Sequence, residues 1–256
     1  MKNPILEELL SITEGIGLCW LGNIGWLLHT GDKLIAFDLD LENELRLKES
    51  PILTSEIAMY LDYHFVTHEH DDHFNFSTSR ILAEQSKCIF IIPSNCKQKA
   101  RQVGIPEERL KIAKPGTPFQ LPDIDVHPVR AIHGHKGFTI LESANPDDCG
   151  YKLGFGGKII LQPGDSILLG DHLEQKDVEV LFVSPTEHNM YIDKSAILIR
   201  TLNPDYIFPQ HFGTYRETEE NQYWTKGYPD ELKETLSNDM QNRFFKLDQG
   251  ELFVIH

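Results

Sequence analysis

The sequence predicts a mixed α/β domain in which two β-sheets pack together with helices outside. The main observation is element order: a β-rich stretch gives way to alternating β and α, and this happens twice. The second is bulk composition. The 256 residues are 40% hydrophobic and 25% charged, which fits a folded domain with a full core and excludes disordered and collagen-like chains. No fixed-period repeat, linker or low-complexity tract divides the chain, so residues 1–256 read as a single domain.

After a short amphipathic start, residues 17–29 read as two β segments around Gly22-Asn23. Gly31-Asp32 is a hairpin signal before the apolar run 33–37, which ends at Asp38. A brief buried strand begins at His64 and runs into His68. Residues 78–86 read as a helix, 88–92 as a strand covered on both faces, and 95–103 as a helix ended by Gly104. Residues 124–130 alternate with period two. Gly156-Gly157 joins strands 151–155 and 158–161. Strand 178–183 precedes a helix over 193–202 with Asp193 as N-cap, then strand 206–209. Leu232, Leu236 and Met240 mark an amphipathic helix over 229–242. Strands 244–247 and 252–255 finish the chain, and Trp20 and Trp26 are expected in the core.

The net charge of −15, with 24 scattered Lys and Arg, argues against a nucleic-acid groove. It is compatible with a small anionic substrate where bound cations dominate the local field. Cys19, Cys88, Cys96 and Cys149 show no C-x-x-C pairing, and a reducing cytoplasm is expected. Glu7 and Glu8 interrupt any export signal. The apolar run 15–28 contains four glycines and is too short to span a bilayer, so no membrane partner is expected. A homo-oligomer is compatible with all of this.

The chemistry lies in Thr67-His68-Glu69-His70-Asp71-Asp72-His73-Phe74, directly after a buried strand. Imidazole and carboxylate suit Zn, Mn and Fe. In an extended segment His68 and His70 point the same way and could share one ion. Asp72 and His73 lie past the strand end and can turn toward a second position. A solvated His-rich loop explains four potential ligands in H-x-H-x-D-H order less well. His133, Asp165 and His211 each lie just beyond a later strand. Taken singly, each is more often structural. Together with the first cluster they place seven ligand-type side chains at one sheet end.

That order of motifs resembles the metallo-β-lactamase superfamily, from about Trp20 to His211. The resemblance implies a four-layer αββα sandwich, two mixed sheets with helices outside, and a metal site at one edge of the sheets. It implies that His68, His70 and His133 hold a first ion, that Asp72, His73 and His211 hold a second, and that Asp165 bridges them. Asp38 matches the early structural Asp, which orients loops. Trp20-Leu21-Gly22-Asn23-Ile24-Gly25, Lys114-Pro115-Gly116 and Gly164-Asp165-Ser166 are similar to the branch containing L-ascorbate-6-phosphate lactonase. The stretch from Pro209 to Tyr215 looks more like the compact, general hydrolases of that branch.

The expected activity is metal-dependent hydrolysis with metal-activated water, on a small ester-like molecule such as a phosphosugar lactone, with one or two divalent ions (Zn or Mn, or Fe). A phosphodiesterase is the alternative. A di-iron redox enzyme or a non-catalytic metal-binding domain belongs to other classes. The di-iron reading suits a carboxylate where this chain has His70, and an exported β-lactamase often has Cys at the place of Asp165. Asp72 is expected to accept or orient a proton; of two candidates for the leaving group, His135 reads more as an exposed loop histidine, and His188 is favoured over it by its place after a buried strand. Arg216 and Lys226 could grip an anion, and Tyr191, Trp224 and Tyr228 could line a pocket, although solvation and packing are the commoner roles.

Overall fold

Asn3 opens the described chain; the structure, a computed structural model, describes residues 3–256. Its side chain accepts from the N–H groups of Ile5 and Leu6, and Pro4 occupies the first helical position of Pro4–Ser11 (α1). Leu6 and Leu9 on one face are buried. Backbone contacts then gather into two units: Met1–Ala113 with Leu247–His256, and Lys114–Lys246.

The first unit is built on a seven-stranded mixed sheet. Ile16–Gly22 (β1) and Gly25–Thr30 (β2) pair antiparallel around Gly22 and Asn23, both at positive φ. Lys33–Phe37 (β3) returns antiparallel. Tyr63–Phe65 (β4), Ile89–Pro93 (β5) and Leu110–Ala113 (β6) then add in parallel. The helices Thr54–Ala58 (α2), Phe76–Gln85 (α3) and Lys97–Val103 (α4) belong to the crossovers. The C-terminal strand Leu252–Ile255 closes the other edge against β1. Leu27, Ala36, Phe74, Phe90 and Ile92 are among the side chains of its core. Trp20 and Trp26 are buried, as their apolar setting predicts.

The second unit is built on a six-stranded mixed sheet. Phe119–Leu121 (β7) and Ile124–Arg130 (β8) form a hairpin. Gly134–His135 (β9) pairs only with Thr139–Ile140 (β10). Cys149–Phe155 (β11) and Lys158–Gln162 (β12) turn on Gly156-Gly157, both at positive φ. Val180–Val183 (β13) and Tyr206–Pro209 (β14) extend the sheet in parallel. Its core includes Leu161, Leu181, Val183, Leu198, Ile199 and Ile207.

Several elements differ from their sequence-based boundaries for local reasons. The strand before His68 stops at Phe65, so His68 and His70 sit on a loop. After Gly170–Leu173 (α5), helix Tyr191–Leu202 (α6) starts two residues before Asp193, because the Thr186 carbonyl already accepts from Asn189 and Tyr191; Asp193 sits inside the first turn and not at the N-cap. The amphipathic stretch 229–242 is not one helix. Following Gln222–Thr225 (α7), it divides into Pro229–Glu234 (α8) and Asn238–Asn242 (α9). Thr235 Oγ1 bonds back to the Leu232 carbonyl, and Ser237 accepts from Met240 N–H as a new N-cap. The expected strand 244–247 reduces to a single bridge between Phe244 and Ile207. The four cysteines are buried and form no disulfide. Among the described residues no helix is long and apolar enough to cross a membrane.

His64 on β4 ties the first sheet to the loop after β3. Its Nε2 accepts from Leu39 N–H at 3.1 Å, so its proton sits on Nδ1. Burial pushes its pKa from 6.5 down to about 3. The unfolded chain therefore takes up a proton that the folded chain refuses, and this contribution is complete above pH 6.5 and lost as pH falls toward 3. Lowering pH from 7.5 to 5 should cost about 2 kcal/mol through this residue alone. Urea unfolding of His64→Gln should show a pH-dependent loss smaller by that amount; equal losses in both proteins would remove His64 from the account.

Candidate metal centre

In the first unit the ligand-type residues hang from Asp38 and Thr67, at the C-terminal ends of β3 and β4. Asp38 is fully buried at positive φ, and its N–H donates to the Phe65 carbonyl. Its Oδ1 accepts from Thr67 N–H at 2.8 Å, and its Oδ2 accepts from Thr67 Oγ1 at 2.9 Å. His73 Nδ1 lies 3.4 Å from the same Oδ2. Burial raises the Asp38 pKa, opposed by the bonds from His73 and Thr67. The Thr67 hydroxyl has one proton, and Asp38 takes it. Thr67 Oγ1 therefore accepts from His68 Nδ1–H at 3.1 Å.

Both rings are thereby set to one tautomer. With Nδ1–H held by Thr67 or Asp38, His68 and His73 present an unprotonated Nε2. His68 Nε2 lies 3.0 Å from His70 Nδ1, so the two rings do face the same way. A tight turn, with the N–H groups of His73 and Phe74 donating to the His70 carbonyl, carries His73 back inward. Its Nε2 lies 3.4 Å from Asp72 Oδ2. Asn23 Nδ2 holds Asp72 by its carbonyl at 2.9 Å and its Oδ2 at 3.3 Å. Asp71 turns the other way, accepting from Phe76 N–H, Asn75 and Lys99 beside the start of α3.

In the second unit, β8 and β12 run the same way because each is antiparallel to β11, and β13 and β14 are parallel to β12. The C-terminal ends of these four strands share one sheet edge. His133, Asp165, His188 and His211 all follow those ends, and all four are buried. Around Asp165 Oδ2 stand His188 Nε2 at 2.7 Å, His211 Nε2 at 3.3 Å and His133 Nε2 at 3.6 Å. Asn189 Nδ2 donates to Asp165 Oδ1 at 2.9 Å. Beneath the edge, Gln162 and Gln210 exchange amide hydrogen bonds, and Gln210 also reaches Ser184. Gly134 admits the chain here: a Cβ would stand 1.8 Å from the His188 carbonyl oxygen.

The donor chemistry of each set fits a borderline divalent cation, imidazole nitrogen with carboxylate oxygen. His133, Asp165 and His188 form one group whose ligand atoms lie within 4.8 Å of one another. Within each unit the structure brings together every ligand-type residue that the sequence singled out. Asn23, Asn189 and the Gln162–Gln210 pair were missed; their only signal was a polar side chain beside a strand end. Of the remaining candidates, His135 and His188 pack against Tyr223, and Lys226 lies over the Tyr228 ring. Trp224 packs on Tyr215, Tyr191 on Tyr228 and Phe138, and Arg216 is exposed.

No family model matches the sequence. A UPF0173 metal-dependent hydrolase of Desulforamulus reducens is 26% identical over 209 residues, covering 77% of this chain and 85% of that protein. The metallo hydrolase Igni18 of the archaeon Ignicoccus hospitalis matches with a TM-score of 0.72 at 17% identity, over 94% of this chain and 98% of that one. A metallo-β-lactamase-fold protein of Bacillus subtilis matches with a TM-score of 0.64 at 11% identity, over 94% of this chain and 99% of that one. These two structural likenesses concern the fold.

Asp38→Ala would leave the buried N–H and O–H groups of Thr67 short of an acceptor and remove the carboxylate beside His73 Nδ1. At roughly 1–3 kcal/mol per stranded buried group, the metal-free protein should lose about 3 kcal/mol or more in denaturant unfolding. A loss below about 1 kcal/mol would show that Asp38 does not organise the loop.

Proposed function

From the metallo-β-lactamase fold of this chain we infer that it is a metal-dependent hydrolase acting on a small ester-like substrate, with a phosphosugar lactone as the first candidate. The observation that carries this is the fixed tautomer of His68, His73 and His133, each presenting an unprotonated Nε2 beside a carboxylate or a second imidazole. In this reading the ligands are those that the resemblance implies: His68, His70, Asp72 and His73 of the first unit, and His133, Asp165 and His211 of the second. The 26% identity to a metal-dependent hydrolase supports it. Zn and Mn suit the donors, as does Fe.

A divalent ion supplies a Lewis acid for the carbonyl or phosphoryl oxygen and lowers the pKa of water from about 15.7 toward about 7. The protein's own part is orientation and proton handling. Asp38 and Thr67 fix the rings of His68 and His73. Asn23 holds the Asp72 carboxylate, whose Oδ2 can accept a proton from an attacking water and keep it during bond cleavage. His188 Nδ1 is held by the Tyr223 carbonyl and its Nε2 stands 2.7 Å from Asp165 Oδ2, which leaves neither nitrogen placed to protonate a leaving group.

The test pairs a sugar-phosphate lactone with bis(p-nitrophenyl) phosphate, on protein stripped and reloaded with Mn or Zn. Metal-dependent turnover of the lactone is expected, and His70→Ala should lower it by about 100-fold or more. Turnover of the phosphodiester alone would make the protein a phosphodiesterase. Turnover of neither would remove both substrate classes and favour a redox or binding role.

A further inference from the structure

His188 lies outside the seven ligands of the metal-binding reading, on which its own role rests and which it deepens. His188 is buried in the loop between β13 and α6. That loop is fixed at several points. Thr186 O accepts from the N–H groups of Asn189 and Tyr191, and His188 N–H donates to the Tyr223 carbonyl at 3.1 Å. The same carbonyl lies 3.2 Å from His188 Nδ1.

A carbonyl only accepts, so Nδ1 carries a proton, and in the neutral ring Nε2 presents a lone pair. That lone pair faces Asp165 Oδ2, also an acceptor when ionised, at 2.7 Å. His133 repeats the arrangement. Its Nδ1 donates to the Gly134 carbonyl at 2.6 Å, and its Nε2 lies 3.6 Å from the same oxygen. Two imidazoles with fixed Nδ1–H donors and a carboxylate oxygen thus aim lone pairs into one space. Such crowding is repulsive unless a proton or a cation shares it. An imidazole that donates its other N–H to a main-chain carbonyl is also the arrangement in which ring nitrogens bind metal. Gly134 keeps the two rings together, because any side chain there would displace the His188 backbone.

We propose that His188 Nε2 is a metal ligand that shares an ion with His133 Nε2 and Asp165 Oδ2. Asn189, holding Asp165 Oδ1, leaves Oδ2 as the coordinating oxygen. The site takes a borderline divalent cation such as Zn, and it adds an imidazole to the expected set.

The full chain, labelled with ¹⁵N-histidine and loaded with ¹¹³Cd, tests this without reference to activity. His188 Nε2 should show direct ¹¹³Cd–¹⁵N coupling, and this correlation should vanish in His188→Gln and persist in His127→Gln, which removes an exposed histidine of β8. The His188→Gln protein should also bind cadmium at least tenfold more weakly by calorimetry. If that variant fails to fold, contacts of the ring protons with Tyr223 assign the wild-type resonance. Coupling at other histidines with none at His188 would overturn the proposal and leave the metal-dependent reading intact. Coupling at no histidine would overturn both.

Discussion

A neutral imidazole has one proton, and where that proton is held decides what the other nitrogen can do. This constraint governs the candidate site. His68 donates its Nδ1–H to Thr67, His73 to Asp38, His133 to the Gly134 carbonyl and His188 to the Tyr223 carbonyl. Each ring is left with a lone pair on Nε2, aimed at a carboxylate or another imidazole. Burial removes the water that would relieve such crowding. Within each unit a divalent cation would satisfy such lone pairs, so the arrangement of N–H acceptors is itself an argument for metal chemistry.

The two sheets supply those acceptors by a shared device. In the first unit, parallel strands β3 and β4 end side by side, which brings the Asp38 carboxylate to the N–H and hydroxyl of Thr67. In the second, four strands running the same way end at one edge, and each is followed by a residue of the His133, Asp165, His188 and His211 set. Strand direction thus converts four places far apart in sequence into neighbours. Rigid pairing behind them, including the Gln162–Gln210 amide exchange, keeps the edge from relaxing.

Much of this was legible in the sequence because it depends on local pattern. Apolar runs ending in His or Asp mark strands that feed a site, and glycine pairs mark the hairpins. The short elements α2 and β6 escaped notice because five and four residues carry too little periodicity. The division of 229–242 into two helices was hidden because Leu232, Leu236 and Met240 keep helical spacing, while Thr235 and Ser237 redirect the backbone through their hydroxyls. At the site, pattern identified the ligand types but not which way they turn. Asp71 and Asp72 are adjacent and chemically alike, and only the cap of α3 assigns Asp71 elsewhere. Asn23 and Asn189 were invisible because an asparagine beside a strand end is ordinarily a turn residue.

In the proposed reading these buried imidazoles and carboxylates are organised to hold divalent cations. Binding to the folded chain alone must raise its stability by mass action. The most direct measurement is therefore the urea midpoint of metal-stripped protein, titrated with zinc or manganese. The midpoint should climb with metal concentration, by about 2.7 kcal/mol of added stability at a hundredfold excess over the dissociation constant. A midpoint that does not move with either metal would contradict it.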